Sequence, residues 1–421
     1  MINFSSIFSF VLPTKIVFGA GCVAALGDEL RALGANRPLI VTDAGVAASG
    51  TLEKVMAALP AGAESRVFDA VEANPKDYNV SAGAAAYREF GADSIVAVGG
   101  GSPIDCAKAV GVLAANGADD IKAFEGKDAP TKPLPPLVTV PTTAGTGSEL
   151  TFSSVITDSN AKYKMTVKNA FTAAKTAVCD PALTLTVPPA VTAATGLDAL
   201  THAIEAFTAT CSEPIGDACA LYAIELIYNN IASAYETPDN LEARSAMLMG
   251  SMLAGIAFSH SDVGSVHCIA ESLGGLYDLP HGACNAIFLP HVMEYNMDYC
   301  ARRYARIAEA MGVWSGTEQI YKEHDGASRE SANRDDFAKA GADRGETARE
   351  SAGRDGAAAA VEAVKRLSAR IGLPSFSGLN VPPSDYPCIC AASVKNLSTR
   401  SNPRPMCEQD YMNVIDMALR N

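Results

Sequence analysis

The chain has 421 residues, enough for two domains with separate cores, and its 48% apolar and 19% charged content is that of a water-soluble globular protein. A net charge of −14 argues against nucleic acid or an anionic membrane surface as the main partner, because both select basic patches. The eleven cysteines are scattered without a CxxC pair, which removes zinc-ribbon and disulfide-scaffold readings and suits reduced thiols in the cytoplasm.

The opening run MINFSSIFSFVLPTKIVFGAG has no basic residue ahead of its apolar stretch, and Pro13 and Lys15 interrupt it, so no signal peptide is expected. No stretch of about 18 uncharged apolar residues follows, so no membrane span is expected either. RPLIVTD (37–43), SRVFD (65–69), SIVAVGGG (94–101) and PLVTVPTT (136–143) read as buried strands. Between them, VSAGAAAYREFGA and IDCAKAVGVLAANG read as helices closed by glycine. This alternation predicts a parallel sheet covered by helices. After VCDPALTLTVPPA (178–190) the prolines Pro188 and Pro189 introduce long helical patterns. The expected fold class is therefore α/β plus all-α: a Rossmann-like dinucleotide-binding domain over residues 1–187 and a helical domain over 188–421. From about 315 to 356 the chain is rich in small and charged residues, and RESANRD is repeated as RESAGRD. So polar a segment buries too little surface to offset its ordering entropy. It reads as a solvated helix or mobile insertion outside the core, with partner binding as the alternative.

In SIVAVGGGSPIDCAKAVG a glycine turn joins a strand to a helix. Gly99, Gly100 and Gly101 lack Cβ atoms, so their amides can approach an anion, and the helix N-terminus favours a phosphate. Pro103 suits the first helical turn. A plain tight turn is the other reading of this motif alone. Asp43 ends LIVTD, where a carboxylate can accept from ribose hydroxyls and repel a 2′-phosphate. PTTAGTGSE (141–149) is a second small-residue turn. Three such sites at strand ends fit a dinucleotide along the carboxyl edge of a sheet.

GLDALTHAIEAF holds Asp198 and His202 at i and i+4, on one helix face. By itself the pair means little, since a plain i,i+4 helix-surface contact is the better reading of it alone. The chain has only six histidines, however, and five lie between His202 and His291. His267 begins a helical stretch, Gly274–Gly275 is expected to break it, and Pro280 leads into His281 on a turn. Asp198, His202, His267 and His281 can then converge from two helices and a loop. One carboxylate and three imidazoles suit Fe²⁺ or Zn²⁺ with room for a substrate oxygen. His291 reads as a packed or capping histidine, and His324 as a solvated residue of the polar segment.

Together, GGGSPID (99–105), PTTAGTGSE (141–149), GLDALTHAIEAF (196–207), PHGACNAIFLPHV (280–292) and SNPRP (401–405) resemble the iron-containing, or group III, alcohol dehydrogenase family. The resemblance covers nearly the whole chain outside the polar segment. It implies an NAD-binding α/β domain, a helical domain and a metal in the cleft between them. The implied metal ligands are Asp198, His202, His267 and His281. The implied cofactor contacts are Asp43, Asn74, Gly101, Ser102, Thr142, Thr143 and Lys164, to which the matched motifs add Gly99, Gly100, Asp105 and Ser148. An acid at Asp43 goes with NAD(H) rather than NADP. A homodimer or larger assembly is implied, with a small alcohol or aldehyde as substrate. The metal would polarise the substrate oxygen while hydride passes directly to or from the nicotinamide.

The chain departs from the family in places. A second histidine is common four residues after the first ligand of this motif, and here Glu271 stands there, as a proton relay, as a partner to a metal histidine, or as a structural acid. By alignment the substrate pocket includes Ser153, Phe258 and the turn LSTRSNP (397–403). His260 and Arg400 replace more usual uncharged residues. An arginine there can recognise a carboxylate, sulfonate or phosphate, which suggests a short aldehyde bearing an anionic group, whereas a structural salt bridge is the bland reading. Glycerol dehydrogenase-like and maleylacetate reductase-like activities are the enzymatic alternatives, and a non-catalytic nucleotide- and metal-binding protein is the remaining one.

Overall fold

The computed structural model describes residues 7–316 and 335–420, with side chains described except over 335–349. The centre of the polar segment, with His324 and nearly all of the RESANRD copy, lies outside the described residues.

Six parallel strands form the main sheet in the order β1 (Lys15–Phe18), β9 (Thr176–Cys179), β6 (Leu137–Pro141), β4 (Ser94–Gly99), β2 (Pro38–Val41) and β3 (Arg66–Phe68). The inner strands are buried at every position, because both faces are covered, and are apolar apart from Ser94, Thr139 and Thr176. Alternation divides them: Leu39, Val41, Ile95, Ala97 and Leu137 join one core, while Ile40, Val96, Val98, Val138 and Val140 join another. Helices α4 (Asp77–Phe90) and α5 (Gly101–Asn116) cover the first face. The short helices α1 (Leu26–Ala32) and α3 (Thr51–Ala57), with α2 (Ala44–Ala48) between them, lie on the side of the second. Gly91 and Gly117, both at φ 66°, end α4 and α5 in the left-handed conformation that glycine adopts without strain.

All four predicted strands form, but β3 is not buried as expected: it is an edge strand, with Arg66 and Val67 exposed. Missing from the sequence reading were β1, β9 and a second sheet of β5 (Gly126–Lys127), β8 (Tyr163–Lys168) and β7 (Ser153–Asp158), the last two antiparallel. The chain leaves β2 for β3 on one side and returns to β4 on the other. This reversal opens a crevice at the carboxyl ends of β2 and β4, the usual ligand position in such sheets.

From Pro189 the chain is helical: α6 (Pro189–Thr208), α7 (Pro214–Glu236), α8 (Leu241–Ser261), α9 (Ser265–Tyr277), α10 (His281–Ala310), α11 (Asp335–Arg370), α12 (Tyr386–Lys395) and α13 (Glu408–Leu419). One apolar cluster, including Leu197, Leu200, Ile227, Ile269 and Phe288, unites them. No helix of the described residues is long and apolar enough to cross a membrane. Two expectations are corrected here. Gly274–Gly275 does not break a helix, because α9 runs through both and ends at Asp278, which takes the left-handed φ of 55°. His281 does not sit on a turn, since it is the first residue of α10.

Candidate dinucleotide and metal cleft

The carboxyl ends of β2, β4 and β6 open into a cavity of about 1780 Å³ whose far wall is made by α6, α8, α9 and the start of α10. On the sheet side, Asp43 caps α2 by accepting the Val46 N–H at 2.9 Å, and it lines the cavity. Gly100, Gly101, Ser102, Thr142 and Thr143 also line it, while Gly99 does not. The two small-residue turns touch. The Thr142 N–H donates to the Gly99 carbonyl at 3.0 Å, and a Cβ on Gly101 would lie 2.6 Å from Thr146 Cγ2. Only glycine fits there, which leaves the α5 N-terminus uncovered toward the cavity.

Asp105 and Ser148, expected as cofactor contacts, bond to each other: the Ser148 hydroxyl donates to Asp105 at 2.5 Å. The second carboxylate oxygen accepts the Val155 N–H at 3.0 Å, so Asp105 is an internal brace with both oxygens engaged. Asn74, held at φ 50°, accepts from Lys164 Nζ at 2.8 Å and donates to Asp278 at 2.8 Å. Lys164 thus stands between the sheet side and α9, where burial lowers its pKa against the pull of Glu271.

On the helical side, α6 supplies Asp198 and His202, α9 supplies His267, and α10 supplies His281. Ligand atoms of Asp198, His267 and His281 all lie within 4.8 Å of one another. Asp198 Oδ1 is 3.9 Å from His267 Nε2 and 3.7 Å from His281 Nε2. The expected group of four is therefore a group of three with His202 beside it. The His202 ring stacks on Phe258 at 4.4 Å and tilts against His267, with Nδ1 4.0 Å from Asp198 Oδ2. His202 Nδ1, His281 Nδ1 and Asn285 Oδ1 are buried without hydrogen-bond partners. The unpaired His202 Nδ1, with Nε2 of His267 and of His281, faces one buried carboxylate, and this set of ligand atoms fits a cation.

The electrostatics agree with that fit. Burial drives Asp198 upward, but His202, His281 and His267 outweigh it and hold the carboxyl below its ordinary range. Burial pushes His202 down to about 4 and His281 well below its usual value, so both imidazoles keep a lone pair at neutral pH. Burial also works downward on His267, yet Glu205 and Asp198 prevail and raise it.

Two participants escaped the sequence reading. Glu205 accepts the His267 Nδ1–H at 2.5 Å and the Val266 N–H at 2.7 Å, which turns His267 Nε2 toward Asp198. Asn285 donates to Asp198 at 2.6 Å and lies 3.1 Å from Nε2 of both His267 and His281. Their spacing held the signal: Glu205 follows His202 by three residues and Asn285 follows His281 by four, each on its ligand's face.

Glu271 lines the cavity one turn after His267 and accepts from Asn396 Nδ2 at 2.5 Å. Burial raises its pKa, with His267 and Lys164 opposing. Ser153 and Phe258 line the cavity, and so does the exposed Arg400, whose guanidinium has no hydrogen bond or ion pair among the described residues. The structural salt bridge considered for Arg400 is absent among the described residues. His260 is corrected: it does not line the cavity but stacks on Phe10 at 4.0 Å, with Nε2 3.2 Å from the Val11 N–H and Nδ1 2.8 Å from the Ile256 carbonyl oxygen. Residues two apart on a helix face nearly opposite ways, so the α8 face that aims Phe258 at the cavity turns His260 away.

Comparison with known proteins agrees with this architecture. Residues 13–181 match the family model described as iron-containing alcohol dehydrogenase, and residues 192–334 match the C-terminal model of the Fe-containing alcohol dehydrogenase family. The 1,3-propanediol dehydrogenase of Citrobacter freundii is 38% identical over 415 residues, covering 98% of each chain. A crystal structure of a 1,3-propanediol oxidoreductase superposes with a TM-score of 0.87 at 37% identity, covering 98% of this chain and 100% of that one. A sulfoacetaldehyde reductase from Bifidobacterium kashiwanohense, in complex with NAD⁺, superposes with a TM-score of 0.81 at 27% identity, covering 99% and 100%.

Proposed function

The chain belongs to the iron-containing alcohol dehydrogenase family, and on that footing we propose that it is an NAD(H)-linked, metal-dependent alcohol dehydrogenase or aldehyde reductase acting on short alcohols and aldehydes. The observation that carries this reading is one cavity bordered by a glycine-rich helix N-terminus on the sheet side and by the Asp198–His267–His281 group on the helical side. The dinucleotide half comprises residues 1–187 and the metal half 188–421.

In this reading Asp43 receives the ribose hydroxyls, and the amides of Gly100 to Ser102 face the pyrophosphate. Asp198, His202, His267 and His281 hold the metal, iron by family and zinc as the alternative. When bound, the metal supplies Lewis-acid polarisation of the substrate oxygen and the nicotinamide supplies or receives the hydride. Glu205 fixes the His267 tautomer, and Lys164 with Asn74 holds the sheet side against α9. Glu271, in the cavity wall, passes the proton exchanged with solvent. All eleven cysteines are free, which supports a reducing, cytoplasmic setting, and a homodimer is the assembly we assign.

The guanidinium of Arg400, unpaired among the described residues, with Lys395 in the same wall, supports substrates that carry an anionic group. The test is reduction of a panel of short aldehydes, neutral and anionic, by metal-loaded protein with NADH or NADPH. We expect NADH-dependent turnover, with Arg400→Ala lowering kcat/KM about tenfold on anionic members only. No turnover of any member with either cofactor would overturn the activity, and equal loss on neutral members would overturn the role of Arg400.

A further inference from the structure

A lysine without exposed surface lies in the interior of the sheet-side half. Lys108, on α5, is 0% exposed. Its ammonium meets five oxygen atoms: the carbonyls of Ser148 at 2.7 Å, Ser153 at 2.8 Å and Thr151 at 3.0 Å, and the hydroxyls of Thr151 at 2.9 Å and Ser148 at 3.2 Å. An ammonium has three protons, so five acceptors exceed its donors. Carbonyls and hydroxyls gathered so tightly resemble the shell of a small monovalent cation. Burial drags the ammonium down to about 8 with Asp105 and Glu149 opposing, so it remains largely charged at neutral pH.

All five acceptors belong to one segment, Ser148 to Ser153. Asp105, one turn earlier on the same helix, grips the first residue of the segment through the Ser148 hydroxyl and its continuation through the Val155 N–H, and the Asp105 carbonyl accepts from the Ser154 hydroxyl at 2.7 Å. This segment does two things. Its residues Ser148, Thr151 and Ser153 line the cavity. Its entrance is wedged against the helical half: a Cβ on Gly147 would lie 2.7 Å from Gly255 Cα of α8, and one on Gly145 would lie 2.7 Å from Thr195 Cβ of α6. α6 carries Asp198 and His202, whereas α5 begins at Gly101 in the other wall. One buried side chain therefore ties the helix at the phosphate end to the strip of chain that seats the metal-bearing helix.

We propose that Lys108 is a positioning residue, an internal tethered cation that locks Ser148–Ser153 onto α5 and so holds the dinucleotide-facing turn and α6 at one spacing. The inference rests on the NAD(H)-linked reading given above. Its test uses Lys108→Ala and Lys108→Met with two readouts, hydrogen exchange of amides 148–155 in the free protein and NADH affinity by fluorescence titration. Lys108→Ala leaves a space shaped for a small cation, and Lys108→Met fills it with apolar atoms. Both variants should bind NADH about tenfold or more weakly, and both should exchange faster over 148–155. Methylammonium should restore severalfold affinity and slow exchange in Lys108→Ala, and should change neither in Lys108→Met or the wild type.

A folded Lys108→Met with wild-type affinity and exchange overturns the proposal. A weakened Lys108→Ala indifferent to methylammonium overturns it too, because the loss would then be one of packing. Should neither variant fold, Thr151→Val decides. A threefold or greater loss of NADH affinity with faster exchange supports the tether, and unchanged values overturn it. If the wild type itself fails to bind NADH, the functional reading fails, while exchange in Lys108→Ala with and without methylammonium still reports on the tether.

Discussion

Replacing Glu205 by glutamine tests whether the metal group is organised by the layer behind it. Glu205 is 5% exposed and spends both oxygens, one on the His267 Nδ1–H at 2.5 Å and one on the Val266 N–H at 2.7 Å. An amide keeps the shape but accepts at one end only, so its NH₂ must face either the imidazole N–H or the main-chain N–H. A buried donor left facing a donor costs about 1–3 kcal/mol. If the amide oxygen takes His267, the start of α9 shifts. If it takes Val266, His267 loses the contact that turns Nε2 toward Asp198. Either outcome loosens one ligand, and loss of such a supporting contact lowers metal affinity about 10- to 100-fold, or roughly 1.4–2.7 kcal/mol. The assay is chelator competition with Zn²⁺, and with Fe²⁺ under anaerobic conditions, alongside thermal melts of the metal-free protein. A Glu205→Gln protein that binds metal within twofold of wild type and melts at the same temperature would refute the reasoning.

Two further perturbations probe neighbouring features. A Cβ on Gly282 would lie 2.4 Å from the Ala194 carbonyl oxygen and 3.2 Å from Asp198 Cβ, so Gly282→Ala must push the start of α10 off α6. We expect a loss of about 1–3 kcal/mol of stability and weaker metal binding, checked by melts and metal titration, with an unchanged pair of values counting against the packing argument. Glu149 is 2% exposed with one oxygen unpaired, and burial pushes its pKa up from 4.5 to about 7, against its own backbone amide and Lys108. The folded state therefore holds a proton that the unfolded chain releases near 4.5. Stability is lost as pH rises from there to about 7, by up to about 3 kcal/mol. Glu149→Gln does not titrate, so its advantage over wild type should be absent below pH 4.5 and complete above 7. Denaturant melts that show a pH-independent gap would exclude this.

What the sequence revealed and what it hid divide along physical lines. The inner strands β2, β4 and β6 were legible because burial on both faces demands nearly continuous apolar runs, broken here only by Ser94 and Thr139. The hairpin of β7 and β8 was not: SSVITD and YKMTVK mix polar with apolar residues because one face borders the cavity. β1 and β9 did not stand out because KIVF opens on an exposed lysine and TAVC on a threonine, which shorten the apolar run. Gly274 and Gly275 invited a helix break, yet both are needed within α9. A Cβ on Gly274 would lie 2.8 Å from Lys164 Cε, and one on Gly275 would lie 2.8 Å from the Lys162 carbonyl oxygen. Their small size serves the approach of β8, and the chain turns only at Asp278.

At the site, histidines were easy to find because they are few, while the residues that orient them were not. Glu205 and Lys108 read in sequence as ordinary helix charges. Their meaning depends on burial, and on partners that leave no side-chain signature: a main-chain N–H for one and three carbonyls for the other. A side chain recognised by backbone atoms more than 35 residues away has no local pattern to betray it. His260 shows the reverse error, a chemically suggestive residue whose helical phase turns it from the cavity that Phe258 enters. Residue type proposes chemistry, and in this chain it is helix phase and burial that decide which proposals reach the cleft.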